Sequence, residues 1–178
     1  MNSVNDTLKD YILKFERLMP HDLCDRIVRE SIERDQWEST AYGRGNIDET
    51  IRNCMRTSPS DATDKSIFEV VGKALALFKE KYPMITSEQD QGYDILRYNP
   101  GGKFVAHTDS SGVWPREVTL SFLLNDDFTG GDWSFFKGEY EVTPKKGDAL
   151  MFPANFMFTH EIKPVLTGTR YSIVTWFI

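Results

Sequence analysis

The sequence predicts an α+β fold that is mainly β: a β-sandwich or jelly roll in the second half, with N-terminal helices packed on one sheet. Three observations predict it. After residue 90, seven or eight short apolar runs follow one another, separated by turn-forming clusters. Before residue 90, the clearest apolar patterns repeat at three and four residues, the spacing of a helix face. The chain has 178 residues, of which 40% are hydrophobic and 13% aromatic, enough for one sizeable core and too apolar for disorder. No repeat or long linker divides it, so residues 1–178 are expected to form a single domain. In that domain about 1–90 would be a helical support region and about 91–178 the jelly-roll core.

Residues 8–18 are ambiguous, since Leu8, Tyr11, Ile12 and Phe15 suit a helix while YILKF also suits a strand. From Asp22 to Asp35, Leu23, Ile27, Val28 and Ile32 form one apolar stripe. The polar stretch Tyr42 to Asp64, with Arg52, Arg56 and Ser58, reads as a loop-rich excursion of the kind that holds ligands. Lys65 to Tyr82 is the stronger helix: Ile67, Val70, Val71, Ala74, Leu75 and Phe78 share a face. Ser66 and Glu69 suggest a capping box there, and Pro83 a stop. Strands are expected at Tyr93–Tyr98, Lys103–His107, Glu117–Leu124, Trp133–Phe136, Glu139–Val142, Ala149–Phe152, His160–Ile162 and Tyr171–Phe177. NPGG, TGG, KKGD and LTGT punctuate them.

Charge and cysteine content narrow the function. With 21 basic and 27 acidic residues the net charge is −6, so no nucleic-acid partner is expected. Two cysteines make no disulfide framework and no CxxC pair. The first fifteen residues carry charges where a secretory leader has an apolar core, and no apolar run approaches a membrane span. The expectation is a soluble cytoplasmic protein with no membrane partner.

Only three histidines are present. His21, between Pro20 and Asp22, suits a surface or capping role. His107 and Asp109 end a predicted strand as an HxD pair, two residues apart and therefore on one face. An isolated HxD is weak evidence. His160 opens a later strand, however, and two histidines with one carboxylate are the facial set that holds non-haem Fe(II) with open positions. Arg170, on the last strand, shares a face by parity with Ser172, Val174 and Trp176. A guanidinium on an interior face needs an anion, and a carboxylate matches its fork.

The stretches LRYNPGGKFVAHTD (96–109), TLSFLLND (119–126), GGDWSFF (130–136), KKGDALMFP (145–153) and HEIKPVLTGTRYSIVTW (160–176) resemble the 2-oxoglutarate- and Fe(II)-dependent oxygenases. The closest likeness is to their prolyl 4-hydroxylase-like branch, whose Arg-Thr-Ser segment is matched by RNCMRTS at 52–58. The resemblance implies a double-stranded β-helix with His107, Asp109 and His160 as iron ligands and as catalytic residues, together with Arg170. It implies Arg170 on the distal carboxylate of 2-oxoglutarate, Tyr98 lining the cosubstrate pocket and Trp176 near the metal. Some relatives carry a tyrosine that helps at that carboxylate, where this chain has Leu123. Thr119 and Ser121 share its face, and Thr119 is the expected substitute.

The implied chemistry is hydroxylation of a C–H bond, with 2-oxoglutarate decarboxylated to succinate and CO2, O2 consumed and ascorbate as an accessory reductant. An acid at Asp109 argues against halogenation. The branch points to a prolyl residue in a peptide or protein, near Trp114, Arg116, Arg52 and Arg56. A free amino acid or small metabolite is the alternative substrate, and a non-catalytic binding or sensor module the alternative class.

Overall fold

In the computed structural model, which describes residues 4–42 and 45–178, the last strand shows how the fold is built. Along it Tyr171, Ile173, Thr175 and Phe177 alternate with Arg170, Ser172, Val174 and Trp176, and the two sets face opposite sides of a sheet. One set packs on helices. The other faces a second sheet.

The elements in chain order are α1 (Val4–Lys9), β1 (Leu13–Phe15), α2 (His21–Arg34), β2 (Glu38–Ser39), β3 (Arg52–Asn53), β4 (Met55–Thr57) and α3 (Asp61–Lys81). After them come β5 (Asp94–Tyr98), β6 (Lys103–His107), β7 (Val118–Leu123), β8 (Thr129–Gly130), β9 (Trp133–Phe135), β10 (Tyr140–Val142), β11 (Ala149–Pro153), β12 (His160–Ile162), β13 (Val165–Thr167) and β14 (Arg170–Phe177). A seven-stranded sheet runs β1-β11-β7-β14-β5-β4-β2, and a five-stranded sheet runs β10-β9-β12-β6-β3. β8 and β13 form a small ribbon. All pairings are antiparallel, and the two facing sheets make the expected jelly roll.

The outer face of the large sheet carries the main core. Ile95, Leu120, Phe122, Met151, Ile173 and Phe177 from the strands meet Leu23 and Ile27 of α2 and Ile67, Val71, Ala74 and Phe78 of α3. A second core lies between the sheets, with Tyr98, Phe135, Leu150, Phe152, Ile162 and Val174.

Several expectations are corrected. Residues 8–18 are neither helix nor strand throughout: α1 ends at Lys9, and Leu13–Phe15 add an edge strand to the large sheet by pairing with β11. The excursion at 42–64 contains β3, β4 and the first turn of α3, while its Gly43 and Arg44 lie outside the described residues. α3 starts four residues before Lys65, because Ser60 rather than Ser66 caps it and its hydroxyl accepts from the Thr63 amide at 3.2 Å. The polar run DATD carries too little apolar periodicity to reveal that turn. On α2 the buried stripe is Leu23, Cys24, Ile27 and Ser31, and Ile32 stands in solvent. Ser31 can take a buried position because its hydroxyl donates to the Ile27 carbonyl at 2.7 Å. No helix among the described residues is long and apolar enough to cross a membrane.

Candidate metal and anion site

The site lies between the two sheets. β6 and β12 pair with His107 opposite His160, but the register then slips, so that Ile162 faces Phe104. Three steps on β6 thus oppose two on β12. Such a bulge turns the strand and lets Phe104 and His107, three residues apart, share the inner face. Their rings stack with centroids 3.5 Å apart.

Asp109 follows at the end of β6 and turns back between the two imidazoles. His107 Nε2 is 3.6 Å from Asp109 Oδ1, and His160 Nε2 is 3.4 Å from Oδ2. Ligand atoms of the three side chains all fall within 4.8 Å of one another. Each imidazole is aimed by its own backbone: His107 Nδ1 donates to the Val105 carbonyl and His160 Nδ1 to the Phe158 carbonyl, both at 2.9 Å. A carbonyl only accepts, so the proton sits on Nδ1 and the Nε2 lone pair faces the carboxylate. Burial, helped by the neighbouring His107, pulls His160 down to about 4. Burial alone would raise Asp109. Imidazoles in their protonated form, with the Thr119 hydroxyl, outweigh it and hold the carboxyl well below the usual range.

Two lone pairs and a carboxylate pointed at one another repel unless a cation stands among them. The donor set therefore fits a divalent metal with N2O ligation, and ordering the Nδ1 protons in this way is what metal-bound histidines require. His160 is enclosed by Trp133, Phe135 and Phe152, with ring centroids 5.3, 5.7 and 4.8 Å away. That wall keeps one side of the site dry.

Thr119 does something other than expected. Its hydroxyl donates to Asp109 Oδ2 at 2.7 Å, so it orients the carboxylate of the metal set. The register explains why it does not reach Arg170: Thr119 pairs with Trp176, six residues along β14 from Arg170. At roughly 3.3 Å per residue that is about 20 Å. Ser121 is also engaged elsewhere, donating to the Ile173 carbonyl at 2.9 Å.

At the other end of β14 Arg170 is 1% exposed. One guanidinium nitrogen donates to Ser172 Oγ at 2.8 Å, while Nε is buried without a partner, and no carboxylate pairs with it among the described residues. Burial lowers its pKa, the direction expected of a cation held without a counter-ion. Tyr98 is its register partner on β5, with the ring 5.3 Å from the guanidinium carbon. Gly131 makes room for it, since a Cβ there would lie 2.8 Å from Arg170 Cδ and the backbone has φ +70°. A buried guanidinium with an unpartnered Nε suits an anion.

His107, Asp109, His160, Tyr98, Arg170 and Trp176 line one cavity. Trp176 lies at its metal end, under the Arg116 guanidinium at 3.5 Å. Ser172, Phe104 and Gly131 had no role in the sequence reading. Parity already placed Ser172 beside Arg170, but the bulge that recruits Phe104 left no sequence signal.

Residues 93–178 match the family model described as the 2OG-Fe(II) oxygenase superfamily. Human procollagen-lysine,2-oxoglutarate 5-dioxygenase 2 is 25% identical over 168 residues; the alignment covers 86% of this chain but only 22% of that protein's length. A prolyl hydroxylase from Trichoplax adhaerens, solved with a peptide fragment of the hypoxia inducible factor oxygen degradation domain, superposes with TM-score 0.80 at 16% identity. It covers 98% of this chain and 86% of that one. A Pseudomonas putida prolyl-4-hydroxylase gives TM-score 0.78 at 22% identity, covering 98% and 96%. These likenesses establish the prolyl-hydroxylase jelly-roll fold.

Proposed function

We propose that the chain, whose residues 93–178 match the 2OG-Fe(II) oxygenase superfamily model, is a 2-oxoglutarate-dependent dioxygenase of that superfamily that hydroxylates a prolyl residue in a peptide or protein. The observation that carries the reading is the meeting of two groups in one cavity: the converging ligand atoms of His107, Asp109 and His160, and the buried Arg170 guanidinium with its unpartnered Nε. Fe(II) and 2-oxoglutarate complete both.

In this reading His107, Asp109 and His160 hold the iron, and Thr119 fixes the free rotation of the Asp109 carboxylate. Arg170, with Ser172 and Tyr98, binds the distal carboxylate of 2-oxoglutarate and so sets the reach of its keto-acid end. The bound metal would supply O2 activation, coupling oxidative decarboxylation of 2-oxoglutarate to insertion of one oxygen into a C–H bond. The protein's own share is positioning and dryness: Trp133, Phe135 and Phe152 exclude water on one side, and Trp176 closes the metal end.

A peptide substrate suits the mouth. Val113 and Trp114 on the loop after Asp109, and Phe156 and Met157 on the loop before His160, are exposed apolar side chains. The two loops are tied by the Ser110 amide donating to the Ala154 carbonyl at 2.9 Å. Exposed apolar side chains on both sides of a site offer contacts to an extended chain. A cytoplasmic, reducing setting belongs to the same proposal and is supported by Cys24 and Cys54, both buried and both free.

The test is succinate formation by anaerobically prepared protein given Fe(II), 2-oxoglutarate, ascorbate and air, with and without proline-containing peptides. Peptide-stimulated succinate with a gain of one oxygen in the peptide mass is the expected result. Tight 2-oxoglutarate binding with no stimulation by any peptide would overturn the prolyl reading and point to a free amino acid or a non-catalytic module.

A further inference from the structure

We propose that Arg52 is a substrate-anchoring residue that takes a carboxylate carried by the substrate beside the carbon to be hydroxylated. The inference rests on the oxygenase reading of the site. Arg52 lies on β3, the edge strand of the small sheet, opposite Phe104 in register. Its guanidinium sits 4.6 Å over the Phe104 ring, which stacks on His107, so Arg52, Phe104 and His107 form a row leading to the metal cluster. The side chain lines the same cavity. One of its terminal nitrogens donates to the Ala41 carbonyl at 3.0 Å, and Nε is buried with no partner. Among the described residues no carboxylate forms an ion pair with it.

The nearby arginines set this apart from an ordinary surface cation. Arg56, four residues on, has Glu38 at 3.3 Å and Asp94 at 3.4 Å. Arg116, stacked on Trp176, is held by the Gln91 side chain at 2.7 Å and the Asp109 backbone carbonyl at 3.4 Å, and forms no ion pair with a carboxylate among the described residues. Contact ion pairs among the described residues thus go to the arginine farther from the row, while Arg52 feels Asp94, and Arg116 feels Asp109 and Asp94, only at longer range. This occurs in a chain whose net charge is −6, so it does not reflect general basicity.

A partly buried guanidinium with free donors favours an anion, and its fork matches a carboxylate. 2-Oxoglutarate does not supply it in this reading, because one of its carboxylates goes to Arg170 and the other to the metal. The remaining source is the substrate. An acidic side chain next to the target in a peptide and the α-carboxylate of a free amino acid offer the same chemistry.

The experiment uses protein loaded with Fe(II) and 2-oxoglutarate under argon, so that nothing turns over. Fluorescein-labelled peptides with a central proline flanked by aspartates, alanines or lysines are titrated and followed by anisotropy. Unlabelled L-proline is added in a competition arm and in calorimetry. We expect the aspartate peptide to bind at least about tenfold more tightly than the alanine peptide, with Arg52→Gln erasing the difference and Arg52→Lys keeping part of it. L-Proline binding that depends on Arg52, without a peptide preference, assigns the carboxylate to a free amino acid and also supports the anchor. Binding independent of charge, an unchanged preference in Arg52→Gln, no binding of any probe, or loosened 2-oxoglutarate in place of loosened peptide would each overturn it. Circular dichroism melts of both variants exclude unfolding as the cause. An aspartate preference without hydroxylation after air is admitted would sink the prolyl hydroxylase reading and leave the anchor standing.

Discussion

The two faces of the large sheet have the same backbone and opposite chemistry. Outward, Ile95, Phe122, Ile173 and Phe177 are fully covered by α2 and α3, and nothing polar from β14 other than Thr175 interrupts the apolar contact. Inward, the same strands carry Tyr98, Ser121, Arg170 and Ser172, all buried as well. Burial alone therefore does not distinguish core from site. What distinguishes them is chemistry: apart from the buried Thr175 hydroxyl, which has no partner, the outer face offers apolar contact, and the inner face holds a buried guanidinium with an unpartnered Nε. The outer face stabilises the protein, and the inner face gives up stability in order to bind.

Substitutions on the two faces should therefore have effects of different kinds. The largest loss of stability is expected on the outer face. Phe122→Ala removes a fully buried ring and should cost about 3–5 kcal/mol, read as a lower midpoint in urea unfolding. A loss below about 1 kcal/mol would mean that the helices do not depend on this face.

On the inner face Arg170→Met should do the reverse. It removes an uncompensated buried cation, so the ligand-free protein should melt at the same temperature or higher, while 2-oxoglutarate affinity falls by about a hundredfold or more. Calorimetric titration and thermal melts on one preparation read both. Retained affinity would remove Arg170 from the anion site.

Thr119→Val is the subtlest of the three. It keeps shape and removes only the hydrogen bond to Asp109, so Fe(II) affinity should fall by about ten- to a hundredfold with little change in melting. If 2-oxoglutarate affinity fell at fixed metal occupancy and Fe(II) affinity did not, Thr119 would belong with the cosubstrate after all.

Much of this was legible in the sequence because strand periodicity is local. Alternation along Arg170–Trp176 placed Arg170 and Ser172 on one face without a structure, and the short runs with Gly turns set most strand limits to within a residue or two. The expectation for Thr119 failed for an equally physical reason. Parity says which face a residue occupies and not how far along the neighbouring strand it lies, which only register decides. The true start of α3 was hidden because its cap is a side-chain-to-backbone bond in a polar run. The bulge in β6 was hidden because it arises between strands.

The sequence by itself determined the β-rich class and the two main helices, since these follow from local periodicity, and it singled out His107, Asp109, His160 and Arg170 through residue type and motif resemblance over longer spacings. Tertiary structure alone decided which carbonyls aim the imidazoles, that Thr119 serves Asp109, that Gly131 gives Arg170 its room, and that Arg52 reaches the cavity from the far edge of the small sheet. Each of these depends on segments that meet only when the two sheets close, and contacts of that range have no signature in a local pattern.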